Sequence, residues 1–346
     1  MESAVAPAVL DGLDRGLVHA LQVDGRAPFS RIAAVLGVSE QTVARRYRRL
    51  RSAGVLRVVG AVNAARLGHA SWTVRLRCTP DAAEPIAAAL ARRPDTFWVH
   101  VLSGGTEISC NVLARTAADR DALLLAKLPR TSRILGMTAH SILHGFALPD
   151  DWSGLAWLTD AQVAQLRRGR PAAPDHRGER ADPGERVVLE RGDHALLAAL
   201  ARDGRAGHAE LAAGTGWSES TVRRRVDHLR RAGVLTYQLD IPPAALGFHA
   251  EARLWMSVRP AGLVGVANTL AGHAEVSFVA VTTGPTNLVA TVVCRDSHGL
   301  YRYLTERVAA LEAVRDVETA PVIRTVKRAG AVLPLPGPGT TSATGQ

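Results

Sequence analysis

Gly37-Val38-Ser39-Glu40-Gln41-Thr42-Val43-Ala44-Arg45-Arg46 returns later in the chain as Gly216-Trp217-Ser218-Glu219-Ser220-Thr221-Val222-Arg223-Arg224-Arg225. The surrounding stretches, 14–56 and 193–235, align without a gap at a constant offset of 179, with 23 identities in 43 positions. The match continues through Leu50-Arg51 and Ala53-Gly54-Val55-Leu56, against Leu229-Arg230 and Ala232-Gly233-Val234-Leu235. Chance similarity does not hold register over such a length, so the chain carries an internal duplication.

Each copy reads as three helices. After Asp14, the apolar residues Leu17, Val18 and Leu21 have helical spacing, and Asp24-Gly25-Arg26 breaks the run. Ile32, Ala33 and Leu36 give a short second helix that Gly37 stops. Ser39 is placed to cap a third helix, because its hydroxyl can accept from the orphan amides of the first turn. That helix runs from Glu40 to about Ser52, with Val43, Tyr47 and Leu50 inward and five arginines around the rest. Gly54 suits the left-handed turn that ends it. A short helix, a glycine turn and a basic helix form a helix-turn-helix, whose second helix reaches base edges in the major groove of double-stranded DNA.

The expected DNA-contacting residues are Ser39, Gln41, Thr42, Arg45, Arg46 and Arg49 in the first copy. In the second they are Ser218, Ser220, Thr221, Arg223, Arg224 and Arg225. Arginine on a solvated helix face is common, and with lysine only at 127 and 327 among 42 Lys+Arg the bias can be genomic. Against that, arginine is concentrated on one helix type and the concentration recurs. The copies differ at Gln41/Ser220, Ala44/Arg223 and Arg48/Asp227, which predicts an asymmetric DNA site.

Composition agrees. A chain of 346 residues is expected to form two or more domains, and 47% hydrophobic residues suffice for real cores. A net charge of +10 suits a polyanionic partner. No basic amphipathic helix, signal peptide or membrane-length apolar run is evident, so no membrane partner is expected. Cys78, Cys110 and Cys294 have neither zinc spacing nor a disulfide framework, which places the chain in a reducing cytoplasm. His140 and His144 lie four apart on a strand, which does not make a metal pair, and no nucleophile signature is present. No enzyme activity, cofactor or metal is expected.

The duplication continues beyond the DNA module. The first segment reads as strand Trp72–Arg77, helix Glu84–Arg92, strands Trp98–Leu102 and Ile108–Leu113, helix Ala118–Leu128 and strand Met137–Leu143. The second reads as strand Ala252–Val258, helix Leu263–Ala271, strands Val276–Thr282 and Leu288–Val293, helix His298–Leu311 and strand Val317–Thr325. That is βαββαβ twice, the ferredoxin-like order. The fold class is therefore α+β: two winged-helix-like helix-turn-helix domains, each followed by a ferredoxin-like domain. The expected divisions are 10–60 and 189–240 for DNA binding, and 66–148 and 245–328 for the sheet domains. Residues 149–188 form a linker with a short helix over Thr159–Arg168, and 329–346 a disordered tail.

This plan resembles the Lrp/AsnC (feast/famine) family of transcriptional regulators. The residues that carry the resemblance are the Asp-led first helix, Gly-x-Ser-x-x-Thr-Val-x-x-Arg, the following Ala-Gly-Val-Leu, Leu67-Gly68 and Leu246-Gly247, and a glycine turn in the mid-sheet hairpin. The resemblance covers about residues 10–147 and 190–328, in a tandem fusion of two units. It implies sequence-specific DNA binding and sheet domains that pair face to face, here as an intrachain pseudo-dimer capable of further homo-oligomerisation. Trp98, Val99, Val101, Phe278 and Val279 are the core or interface candidates. It also implies a small-molecule effector such as an amino acid near the hairpin turns, at Gly104, Thr106 and Glu107 or at Gly284, Thr286 and Asn287. The family favours Asp where this chain has Glu107 and Asn287. Because Pro285 has no amide to donate, at most one site per chain is expected, near Gly104–Glu107, with the Glu107 carboxylate holding an ammonium group. The alternative is a sirohaem decarboxylase-like enzyme of tetrapyrrole biosynthesis with the same two-domain plan. The intact cap and basic face of both reading helices argue against it.

Overall fold

The computed structural model of the chain describes residues 10–122, 133–149, 152, 154–168, 187–328 and 331–332. The first unit opens with α1 (Gly12–Val23), α2 (Phe29–Leu36) and α3 (Glu40–Ser52), followed by β1 (Arg57–Val62). Its sheet domain contains β2 (Ala70–Cys78), α4 (Ala83–Ala91), β3 (Thr96–Leu102), β4 (Glu107–Ala114), α5 (Ala117–Asp121) and β5 (Ile134–Ala147). A connecting helix α6 (Asp160–Arg167) leads to the second unit. That unit has α7 (Arg191–Arg202), α8 (His208–Thr215), α9 (Glu219–Arg231) and β6 (Leu235–Asp240). Its sheet domain follows as β7 (Ala250–Val258), α10 (Leu263–Ala271), β8 (Val276–Thr282), β9 (Leu288–Cys294), α11 (Ser297–Arg302) and β10 (Val314–Arg328), with a short β11 (Ala331–Val332). The remainder of the helix expected over Ala118–Leu128, most of the expected linker (169–186) and the tail from 333 lie outside the described residues.

The units pair with each other in two layers. In the lower layer β1 and β6 form an antiparallel ribbon with Arg57 opposite Asp240 and Val62 opposite Leu235. The six helices of the two helix-turn-helix modules pack around it in one apolar core with Leu17, Leu21, Leu50, Leu196, Leu200 and Leu229. The strands after the reading helices therefore serve as a joint between the copies.

Each turn that the sequence marks as a helix breaker also staples the copies together. Arg26 donates to the carbonyls of Gly204 (2.9 Å) and Ala206 (3.1 Å), and Arg205 donates to those of Gly25 (2.7 Å) and Ala27 (3.0 Å). The approach requires glycine at the turn. A Cβ on Gly204 would sit 2.9 Å from the Val59 carbonyl carbon, and one on Gly25 would sit 2.8 Å from Val58 Cγ1.

In the upper layer each unit builds the ferredoxin order, β3-β4-β2-β5 and β8-β9-β7-β10. β5 and β10 are long enough, at 14 and 15 residues, to leave their own sheets. β5 pairs first with β2 and then, through Ile142 to Ala147, with β8; β10 pairs with β7 and then, through Val322 to Lys327, with β3. Eight strands among the described residues thus close on themselves, which removes the unpaired edges that invite aggregation. Strand alternation then sorts the side chains. Val74, Leu76, Val99 and Val101 pack under α4, and Leu254, Met256, Val279 and Val281 under α10. Trp255, Phe278, Leu102 and Val289 turn into the space between the sheets. There the Arg75 guanidinium lies 4.1 Å from the Trp255 ring centroid.

The connecting segment packs on the first DNA module. Thr159 caps α6 in a box with Gln162, and Leu155 and Leu166 are buried in the shared helical core.

Candidate nucleic-acid interface

Both reading helices begin in the same way. Gly37 and Gly216 end the preceding helices with φ of +67° and +72°, the left-handed region that favours glycine. Ser39 Oγ then accepts from the Thr42 amide at 3.2 Å, and Ser218 Oγ from the Thr221 amide at 3.2 Å. Val43, Tyr47 and Leu50 are buried under α3, and Val222, Val226 and Leu229 under α9. This leaves Gln41, Arg45, Arg48 and Arg49 exposed on α3, and Ser220, Arg223 and Arg224 exposed on α9.

The arginines of each helix divide by direction. Arg46 turns inward to Asp11 and to Asp14 (3.3 Å), and Arg49 also reaches Asp14. The corresponding Arg225 grips Asp193 with Nε (2.7 Å) and Nη2 (2.5 Å) and Glu190 at 3.0 Å. Asp14 and Asp193 have no exposed surface, and a buried carboxylate needs such a partner. Arg46, Arg225 and part of Arg49 therefore fix the reading helix to α1 or α7. Adjacent residues on a helix point about 100° apart, so Arg45 and Arg224 project outward instead. Among the described residues Arg45, Arg48, Arg223 and Arg224 have no ion-pair partner.

The two outer faces are not alike. On α9, Arg223, Arg224 and Arg231 share a shallow groove with Glu219, Ser220 and Asp227. On α3, Arg48 stands where α9 has Asp227, so the first face is the more uniformly cationic. Arg51 leans across to Asp203 of the other copy at 2.6 Å. Sequence reasoning missed this cross-bracing, and its one signal was the recurrence of Asp-Gly-Arg-Ala at 24–27 and 203–206.

The hairpin positions expected to hold an effector are used differently. Glu107 is 4% exposed, ion-paired to Arg75 and reached by the Ser103 hydroxyl at 3.2 Å. Its carboxylate already has an internal cationic partner in Arg75. Asn287 also turns inward, accepting from the Val258 amide and donating to its carbonyl, both at 2.9 Å. Gly284 is covered by His140 of the first unit: a Cβ there would meet the ring at 2.3 Å. Gly104 has nothing within 4 Å of a Cβ, and Thr106 closes its own turn onto the Ser103 carbonyl at 2.8 Å. Trp98 and Phe278, candidates for core or interface, both face the space between DNA layer and barrel; Val99, Val101 and Val279 belong to the cores under the helices.

Among the described residues no group of three or more His, Cys, Asp or Glu is placed to hold a metal, and no helix is long and apolar enough to cross a membrane.

Comparison with known proteins agrees with this geometry. Residues 10–51 and 189–230 match the AsnC-type helix-turn-helix domain, and 251–332 match the Lrp/AsnC ligand binding domain. An uncharacterized HTH-type transcriptional regulator of Pyrococcus abyssi is 32% identical over 146 residues, 42% of this chain and 92% of that protein. The HTH-type transcriptional regulator FL11 of Pyrococcus horikoshii is 31% identical over 143 residues, 41% of this chain and 94% of the relative. Each of these relatives thus spans less than half of this chain. Among solved structures, the siroheme decarboxylase NirDL superposes along 92% of this chain and 93% of its own, with a TM-score of 0.60 and 14% identity. That likeness is one of fold.

Proposed function

The chain belongs to the Lrp/AsnC family of transcriptional regulators, and from that premise we propose that it binds one asymmetric double-stranded DNA site with α3 and α9 as its two reading helices, and that it is not an enzyme. The observation that carries this reading is the outward set of unpaired cations, Arg45 and Arg48 on one helix and Arg223 and Arg224 on the other, beside polar groups at the helix starts. Cations with no ion-pair partner on a capped helix are what phosphate and base-edge contact require. The internal pairing of Arg46 and Arg225 supports the same reading, because it holds each helix rigidly at its base. A small-molecule effector belongs to the proposal, as does further assembly of whole chains.

The test is DNA binding by the purified full chain to fragments selected from genomic DNA. Specific complexes are expected, with affinity falling steeply as salt rises. The tetrapyrrole reading rests on the full-length fold likeness to NirDL. It predicts a visible absorption change on adding iron uroporphyrin, whereas the regulator reading predicts none and a specific complex with DNA.

A further inference from the structure

Between the helix-turn-helix layer and the barrel lies a cavity of about 80 Å³, lined from both layers. A single buried water needs only ~10–15 Å³ by the same measure, so there is room for a small organic molecule. Three aromatic side chains stand in its wall, Trp98 of β3, Phe278 of β8 and Trp152 of the connecting segment. Trp98 is in the left-handed region at φ +53°, in the bulge between Phe97 and His100. Side chains rarely adopt that conformation, and such outliers concentrate at ligand sites.

One wall carries a buried cation that forms no ion pair among the described residues. This is Arg253, 2% exposed. It donates to Thr291 Oγ1 at 2.6 Å and to Asn111 Oδ1 at 3.3 Å, and its Nε has no partner. Burial pulls it down only to about 10, so it remains charged at neutral pH. Buried cations are ordinarily matched by an anion. Glu251 lines the same cavity and favours the charged guanidinium from a distance without forming an ion pair with it; burial pushes its own carboxyl up, against the pull of Arg328 and Arg253, and the Phe278 ring lies 5.2 Å from the guanidinium. Arg328, also in the wall, is already held by Asp240 at 3.4 Å.

The duplication offers an internal control. Trp72 faces Val112 in the first sheet as Ala252 faces Val292 in the second, so the sheets correspond at an offset of 180. At the other pseudo-equivalent place Arg253 is matched by Thr73, Glu251 by Ser71, Arg328 by Leu148 and His100 by Ala280. The aromatic positions are kept as Trp98 and Phe278, while the charged set exists once.

We propose that this cavity is a site, one per chain, for a small aromatic carboxylate, with Arg253 taking the carboxylate and Trp98, Trp152 and Phe278 enclosing the ring. The site touches Gln22 of α1, Leu239 of β6 and the barrel together, so its occupancy bears on how the DNA layer sits on the sheets. The inference does not rest on DNA binding, and its test needs no DNA.

The full chain is titrated with benzoate and phenylacetate at fixed ionic strength, and with phenylacetamide as the neutral control, by calorimetry and tryptophan fluorescence. One saturable site per chain is expected for a carboxylate, with the amide about tenfold weaker or worse. Arg253→Gln is expected to lose about tenfold or more for the carboxylate and to leave the amide unchanged, and Arg253→Lys to lose less. Thr73→Ala is expected to bind as the parent does. Because Arg253→Gln removes an unpaired buried cation, its melting temperature without ligand is expected to hold or rise. Failure of both carboxylates to saturate, equal binding of acid and amide, undiminished binding by Arg253→Gln, or a lowered melting temperature of that variant would each overturn the proposal.

Discussion

The DNA-reading layer and the barrel are products of one duplication, yet they have diverged differently. In the reading layer the contacts across the pseudo-twofold are reciprocal: Arg26 binds the turn of the second copy just as Arg205 binds that of the first. A change in one copy would there strand a group in the other. In the barrel the corresponding side chains have separated. Arg75 of the first sheet lies against Trp255, its own counterpart in the second, and buried Arg253 is matched by Thr73. Residues that meet their counterparts through backbone groups are held alike, whereas residues that meet through side chains can specialise. The outer faces of α3 and α9 lie outside both constraints, and Arg48 and Asp227 have diverged in charge.

The largest expected effect tests that outer difference. Replacing Arg45 and Arg48 together by alanine, or Arg223 and Arg224 together, should each weaken specific DNA binding by roughly 1–3 kcal/mol per base-contacting residue, localised to one half of the site. A residue that touches only phosphate should weaken all sequences alike and lower the salt slope by about 1. Titrations of the two double variants at several salt concentrations separate these outcomes. Equal loss on both half-sites from either variant would break the comparison.

The turn glycines give a smaller effect on stability. Gly204→Ala pushes its Cβ to 2.9 Å from the backbone of Val59, whereas Gly25→Ala meets side-chain atoms, Val58 Cγ1 at 2.8 Å and Tyr237 Cβ at 3.0 Å. We expect a loss of about 2–3 kcal/mol for the first and about 1 kcal/mol for the second in urea unfolding. The reverse order would mean that the two turns do not pack as described.

Asp14→Asn and Asp193→Asn should cost nearly the same, about 2 kcal/mol each, because both carboxylates are fully buried on a reading-helix arginine. Both variants should also weaken DNA binding through misplacement of the helix. A large difference between them would show that the two modules are anchored differently.

The smallest effect is one of pH, and it concerns histidines that exist in one copy only. Burial holds His100 well below its usual value, and Arg253 and Arg328 push it further in the same direction. Burial also lowers His19, whose Nδ1 accepts from the amides of Trp157 (3.2 Å) and Leu158 (3.0 Å). The unfolded chain takes up these protons near pH 6.5 and the folded chain resists, so stability should fall as pH drops below about 6.5. The expected loss between pH 7 and pH 5 is of the order of 1 kcal/mol, and His100→Ala should flatten the slope. A melting temperature that rises on acidification would contradict this assignment.

Much of this was legible in the sequence wherever the signal is local. The periodicity places α10 at Leu263–Ala271 and β8 at Val276–Thr282, and the structure has the same bounds. The strand read as Met137–Leu143 runs on to Ala147, and that read as Val317–Thr325 runs on to Arg328. Those extensions pair with the other unit, and a single strand does not announce a partner so far away in the chain. The ribbon of β1 and β6 escaped for the same reason. The helix read over His298–Leu311 ends earlier, because a wider turn takes over at Tyr303–Val308. At the reading helices the caps and the basic face could be read directly. That Arg46 turns inward and Arg45 outward could not, because it depends on the buried Asp14 of another helix.

In the proposed function one chain reads one asymmetric site with two unlike helices. The most direct measurement is a footprint of the purified chain on DNA selected for binding, repeated with the Arg45/Arg48 and Arg223/Arg224 double alanine variants. Protection is expected on two non-identical half-sites about one helical turn apart, with each variant losing protection on a different half. A palindromic footprint, or loss of the same base pairs in both variants, would contradict it.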